Sequence, residues 1–126
     1  MARELIVSSA IPGPKFAYTP CVRIGSTVQV SGMVALDPAT GDLLAGDTEV
    51  QATQILRNLT AALKDYGVGL EDLLIVRVYL VDLAEFAGFN RAWSAVFKDR
   101  PPARTTVGVS ALPLGARVEM EFTFVT

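Results

Sequence analysis

Apolar and polar positions follow different periods along the chain, and the changes of period mark its elements. Ala52, Ile55, Leu56, Leu59, Leu63 and Tyr66 recur at three- and four-residue spacing, the stripe of a helix with one buried face. Thr48 with Gln51 three residues on has the form of a capping box, and Gly67 stands where a helix end takes a left-handed residue. The pattern predicts a helix over Thr48 to Tyr66. From Leu73 to Val81 the chain is almost continuously apolar, β-branched or aromatic, as in a central strand covered on both faces. Asp82 with Glu85 repeats the capping pattern, and Phe86, Phe89, Trp93 and Val96 or Phe97 trace a second helical stripe to about Lys98. That stripe reads as core rather than as an aromatic cofactor site.

Towards the C-terminus the period changes to two. Arg104, Thr106, Gly108 and Ser110 share one face of a strand, with Thr105, Val107 and Val109 on the other. In the last run Arg117, Glu119, Glu121 and Thr123 oppose Val118, Met120, Phe122 and Phe124. At the other end Glu4 to Ser8 reads as a short strand, broken by a segment with two prolines, Pro12 and Pro14. Val22-Arg23-Ile24 and Val28-Gln29-Val30 flank Gly25-Ser26-Thr27 as a hairpin. Asp37 to Asp42 is dense in turn formers and predicts an exposed loop. The order βββαβαββ belongs to the α+β class: a mixed sheet with both helices on one face, in a single domain over 1–126.

Composition alters this picture in one respect. With 51% hydrophobic and 19% charged residues, and a mean hydropathy of +0.40, the chain is greasier than a domain with one sheet face open to water. Neighbouring subunits of a homo-oligomer are expected to cover that face. No apolar run approaches the ~20 residues of a membrane span, and no export signal opens the chain, so a cytoplasmic protein with no membrane partner is expected. A net charge of −2 without any Lys/Arg cluster argues against a nucleic-acid partner. There is no histidine, and the one cysteine, Cys21, forms neither an internal disulfide nor a multi-cysteine zinc site, so no metal is expected. Catalysis here would rest on carboxylates, arginine, hydroxyls, water and backbone groups.

Phosphate loops, dinucleotide fingerprints and nucleophile elbows are absent. Arg104 follows the stiff pair Pro101-Pro102, and its planar fork suits a carboxylate. Glu119 alternates with apolar residues, which would desolvate it in part and let it orient a water. Judged by residue chemistry alone, a solvated or salt-bridged structural role is the commoner one for each, and the reading stops at a soluble α+β oligomer.

The run Pro102-Ala103-Arg104-Thr105, with Val107, Val109, Leu112-Pro113 and the closing Val118-Glu119-Met120-Glu121, resembles the signature of the Rid (YjgF) family of reactive-intermediate deaminases. Tyr18, Val30-Ser31-Gly32, Asp37-Pro38-Ala39-Thr40-Gly41 and Phe89-Asn90 match further motifs in order, so the resemblance covers essentially the whole chain. It implies a chorismate-mutase-like fold and a homotrimer with active sites between subunits. The implied activity is cofactor-independent hydrolysis of small 2-imino acids, or their 2-aminoacrylate-type enamine tautomers, to 2-keto acids and ammonia. Under this resemblance Arg104 holds the substrate carboxylate and Glu119 positions water, while Tyr18, Gly32 and Asn90 match the remaining pocket positions. Thr106 is a substrate-side hydroxyl where well-known members often carry cysteine, which leaves subgroup and substrate range open. Two other readings stand beside it: a non-catalytic carboxylate-binding or regulatory trimer using the same cleft, and RNA cleavage, an older label in the family that the acidic balance disfavours.

The simplest register pairs the last two strands directly through the Ala111 to Ala116 loop, with Ser110 opposite Arg117 and Gly108 opposite Glu119. Arg104 and Glu119 would then lie on the order of 13 Å apart. They would meet only across a subunit boundary.

Overall fold

The computed structural model describes residues 2–126. Its elements are β1 (Glu4–Ile6), β2 (Cys21–Ile24), β3 (Thr27–Met33), α1 (Thr48–Tyr66), β4 (Leu73–Leu80), α2 (Phe86–Phe97), β5 (Ala103–Gly108) and β6 (Val118–Val125). The element order and the α+β class are those expected. The strands form one sheet in the order β1-β2-β3-β6-β4-β5. Neighbours are antiparallel except β4 and β5, which run parallel.

Both helices cover the sheet face presented by Val76, Val78 and Leu80 of β4 and by Val118, Met120, Phe122 and Phe124 of β6, all fully buried. Ile55 and Leu59 of α1 and Phe89 of α2 complete this layer. Each such side chain contributes ~1.5–3 kcal/mol of transfer free energy. No described helix is long and apolar enough to cross a membrane.

The cap of α1 differs from expectation by one residue. Asp47 is the N-cap, its side chain accepting from Val50 N at 2.9 Å, because Thr48 already lies inside the helix. Gln51 is left to tie two distant segments together: its amide donates to the Leu44 carbonyl and its oxygen accepts from Arg117 N, each at 2.9 Å. Gly67 closes the helix at φ 70°, as predicted. Asp82 caps a single 3-10 turn, Leu83–Glu85, that leads into α2. Glu85 in this turn accepts from Thr48 N at 2.9 Å and pairs with Arg117, fixing the starts of both helices to the approach of β6.

Within one chain β4 is covered on one face, and Arg77 on the other face is exposed. That open face carries a row of polar links, with Tyr79 donating to Glu121 and Thr123 donating to Gln29 at 2.6 Å. One expectation about the sheet is corrected: β5 and β6 do not pair. The segment β4–α2–β5 is a crossover that returns β5 parallel to β4, so β4 lies between the last two strands and β5 forms the sheet edge.

Candidate active site

Glu119 stands near the start of β6 on the open sheet face, opposite Tyr79 of β4. On its other side, β3 is irregular: Val30 pairs with Phe122 but Met33 with Met120, so three steps on β3 span two on β6. The extra residue bulges the strand at Ser31-Gly32 and brings its backbone under the carboxylate. A Cβ on Gly32 would sit 2.9 Å from Glu119 Cδ and closer still to Oε2. Close approach, not a special backbone angle, is what requires glycine there. Ser31 also holds the preceding loop, its N–H donating to the Pro20 carbonyl at 2.9 Å and its hydroxyl to the Thr19 carbonyl at 2.7 Å. That anchorage places Tyr18 in one cleft with Gly32 and Glu119, walled by Phe16, Pro113 and Leu114. Burial, assisted by the neighbouring Glu121 charge, raises the Glu119 pKa above the usual carboxylate range.

A second cluster forms around Arg104 on β5. Arg104 pairs with Val76, whose side chain is in the helix-covered layer, so the guanidinium points towards α2. Its Nη1 donates to Asn90 Oδ1 at 3.0 Å. Its Cζ lies 5.5 Å from the ring centroid of Phe86, 5.3 Å from Phe89 and 4.9 Å from Trp93. The ion pairs among the described residues are made by Arg91 and Arg117, and none reaches Arg104. Burial lowers its pKa, a sign that the charge is held in partly desolvated surroundings without a counter-ion. Thr106, on the same strand face, has a buried hydroxyl with no hydrogen-bond partner.

One chain therefore carries two separate clusters of candidate residues. Tyr18, Gly32 and Glu119 are brought together, and so are Arg104, Asn90 and Thr106, but the two groups are not. Arg104 is level with Val76 of β4 and, beyond it, with Phe122 of β6. Glu119 lies three residues further along and two strands across, on the order of 14 Å away, with its side chain on the opposite face of the sheet. The register inferred from the sequence is wrong, yet the separation it implied is present and larger.

The sequence does not show the aromatic surroundings of Arg104: their residues form a helical stripe, which reads as core. Leu114, which lines the Glu119 cleft, also takes an unexpected left-handed conformation at φ 62°. Among the described residues, no group of three or more His, Cys, Asp or Glu side chains is arranged to hold a metal ion.

A family model described as endoribonuclease L-PSP matches residues 8–126. The chain belongs to the Rid (YjgF) family. A RutC family protein of Pyrococcus abyssi is 37% identical over 121 residues, covering 96% of this chain and 95% of that one. A rat protein named 2-iminobutanoate/2-iminopropanoate deaminase is 34% identical, covering 94% of this chain and 87% of its own. The crystal structure of RidA from the Antarctic bacterium Psychrobacter sp. PAMC 21119 is similar with a TM-score of 0.92 at 34% identity, covering 98% and 99% of the two chains. This Rid chain thus shares both length and fold with its relatives, some of which are named imine deaminases.

Proposed function

We propose that this Rid protein hydrolyses small 2-imino acids to 2-keto acids and ammonia, without a cofactor, at sites completed between the subunits of a homotrimer. One observation carries the reading: Arg104 is a partly desolvated cation with free donors and no carboxylate partner. Such a group is stabilised by an anion brought in by a ligand, and the planar guanidinium fork fits a carboxylate.

The chemistry asks for little beyond placement. Imines hydrolyse readily in water, so holding a C=N carbon next to one oriented water supplies most of the required help. Arg104 grips the substrate carboxylate, Asn90 steadies the guanidinium, and the Thr106 hydroxyl offers a hydrogen bond to the substrate. Acting on the protonated imine, Glu119 accepts a proton from water as the water oxygen bonds to the C=N carbon and the C=N π pair moves to nitrogen, giving a neutral carbinolamine. Glu119 passes that proton to the amino nitrogen, then takes the hydroxyl proton as the C–N bond breaks and the carbonyl forms, and finally releases it to the departing ammonia, which leaves as ammonium. A glutamate with a raised pKa suits both directions of transfer.

Half-sites on opposite sheet faces suit a head-to-tail contact, in which the Arg104 side of one subunit meets the Glu119 side of the next. Contacts of that kind close into rings, and three subunits make the smallest. The exposed sheet face and the excess hydrophobicity support the same assembly.

Two measurements test this. With 2-iminopropanoate generated by an amino-acid oxidase, the protein should accelerate pyruvate release; no acceleration across alanine, leucine and phenylalanine precursors would sink the activity. Arg104→Ala and Glu119→Gln should each be inactive. Co-expressed in equal amounts they should recover about one quarter of the wild-type sites, because one interface in four joins an intact arginine to an intact glutamate. Inactive mixed oligomers would rule out a site shared between subunits.

A further inference from the structure

We propose that the rings around Arg104 are a positioning device for the substrate carboxylate, with Trp93 its principal member. The inference rests on the reading of Arg104 as the carboxylate anchor. Phe86, Phe89, Asn90 and Trp93 stand at intervals of three, one and three residues on α2, so all four project from one side of the helix. That side faces β5, and the three centroids lie 4.9 to 5.5 Å from the guanidinium carbon. Each is within cation–π range.

A binding arginine poses a particular problem. A desolvated cation is ordinarily steadied by a carboxylate, but a resident carboxylate would occupy the N–H donors that a substrate needs. Ring faces stabilise the charge through their quadrupoles and leave the donors free. The single bond to Asn90 Oδ1 fixes one corner of the guanidinium, and rotation about that corner is what the rings restrain.

Trp93 is the ring nearest the cation, and it is itself immobilised. It is 6% exposed and packs against Phe97 at 4.4 Å and Phe89 at 6.0 Å between centroids. Phe97 makes no contact of this kind with Arg104, so it supports the fold without belonging to the cage. That difference separates positioning from stability.

The test compares Trp93→Leu, Trp93→Phe and Phe97→Leu in the full-length protein, each measured for KM and kcat on 2-iminopropanoate and for Tm. Trp93→Leu should raise KM about tenfold with kcat little changed; Trp93→Phe, which retains a ring, should recover most of that loss. Phe97→Leu should lower Tm as much while leaving KM unchanged. Should Trp93→Leu fail to fold, Phe86→Leu at the partly exposed ring takes its place, with a KM increase expected. An unchanged KM in Trp93→Leu, or an equal rise in Phe97→Leu, would overturn the proposal. If the wild-type protein turns over no imine, the same variants are ranked by their affinity for pyruvate in calorimetry. The same ranking there would uphold the cage while removing the deaminase reading, and absence of pyruvate binding by the wild-type protein would remove both.

Discussion

Replacing Gly32 with alanine separates placement of the Glu119 carboxylate from every other property of the site. The added methyl would lie 2.9 Å from Cδ and 3.3 Å from Cγ of Glu119, inside the 3.4 Å at which ordinary contact begins. The obstructed atoms are the end of a flexible side chain, so the backbone can stay where it is while the carboxylate swings away by at least half an ångström. Turning a glutamate off its preferred rotamer costs ~0.5–1.5 kcal/mol. Removing a glycine from the unfolded chain returns ~0.4–1 kcal/mol. The two nearly cancel, and Tm should remain within about 4 °C of wild type. Catalysis has no such compensation: displacing a water-orienting group by ~1 Å can cost on the order of 100-fold. Imine hydrolysis should therefore fall about that far, with KM moved much less because Arg104 is untouched. Keto-acid release from 2-iminopropanoate, measured beside a thermal scan, reads both quantities. A Gly32→Ala protein with full activity would refute the argument, and so would one that lost activity only by unfolding.

Arg104→Lys should lower turnover more than about tenfold while leaving the fold intact, because an ammonium has no bidentate fork to offer a carboxylate; steady-state kinetics with circular dichroism check it. Glu119 has its folded-state pKa raised, so protonation favours the fold below the unfolded value, and that contribution is lost as pH rises through the folded one. Glu119→Gln should consequently raise Tm at neutral pH, with the difference shrinking as pH falls towards 4.5, while wild-type activity declines over the same acid range. Thr106→Val removes a buried hydroxyl with no partner; it should gain stability of about 1 kcal/mol and weaken substrate binding several-fold, as read by thermal scans and KM.

The helices and the central strand could be read from the sequence because their periodicity is a local property. α1 covers the predicted Thr48–Tyr66, and β4 ends one residue before the predicted Val81. The order of strands is not local. Whether β5 turns back onto β6 or crosses over to β4 depends on where α2 packs, which no stretch of either strand records. The consequence reaches the site, because strand parity is unforgiving: a one-residue change of register moves a side chain to the other face. In the inferred pairing Glu119 faced the same way as Gly108 and Arg104. In the observed sheet Thr106 is level with Val78 and then with Met120, which puts Arg104 with the even-numbered core residues of β6 and Glu119 opposite them. The stripe Phe86, Phe89 and Trp93 was illegible for another reason. A hydrophobic pattern shows that a helix face is covered but not which atoms cover it. Phe89 and Trp93 are buried, as core residues should be, and a guanidinium is among the groups that bury them.

Three uncompensated groups fall within the two clusters. Glu119 is half-buried beside the like charge of Glu121, Arg104 is partly desolvated without a counter-ion, and the Thr106 hydroxyl is buried without a partner. Outside the clusters Gln51 uses both ends of its amide and Glu85 accepts from both Thr48 and Arg117, but the buried hydroxyls of Thr48 and Tyr66 also lack partners, so an unpaired hydroxyl alone does not mark a site. Under the proposed function a carboxylate-bearing substrate would supply an anion to Arg104 and an acceptor to Thr106, and its water a proton to Glu119. Groups left uncompensated in the free chain are those that gain most when a ligand arrives; an unpaired cation and an unpaired hydroxyl on one strand face, rather than either alone, are what single out β5.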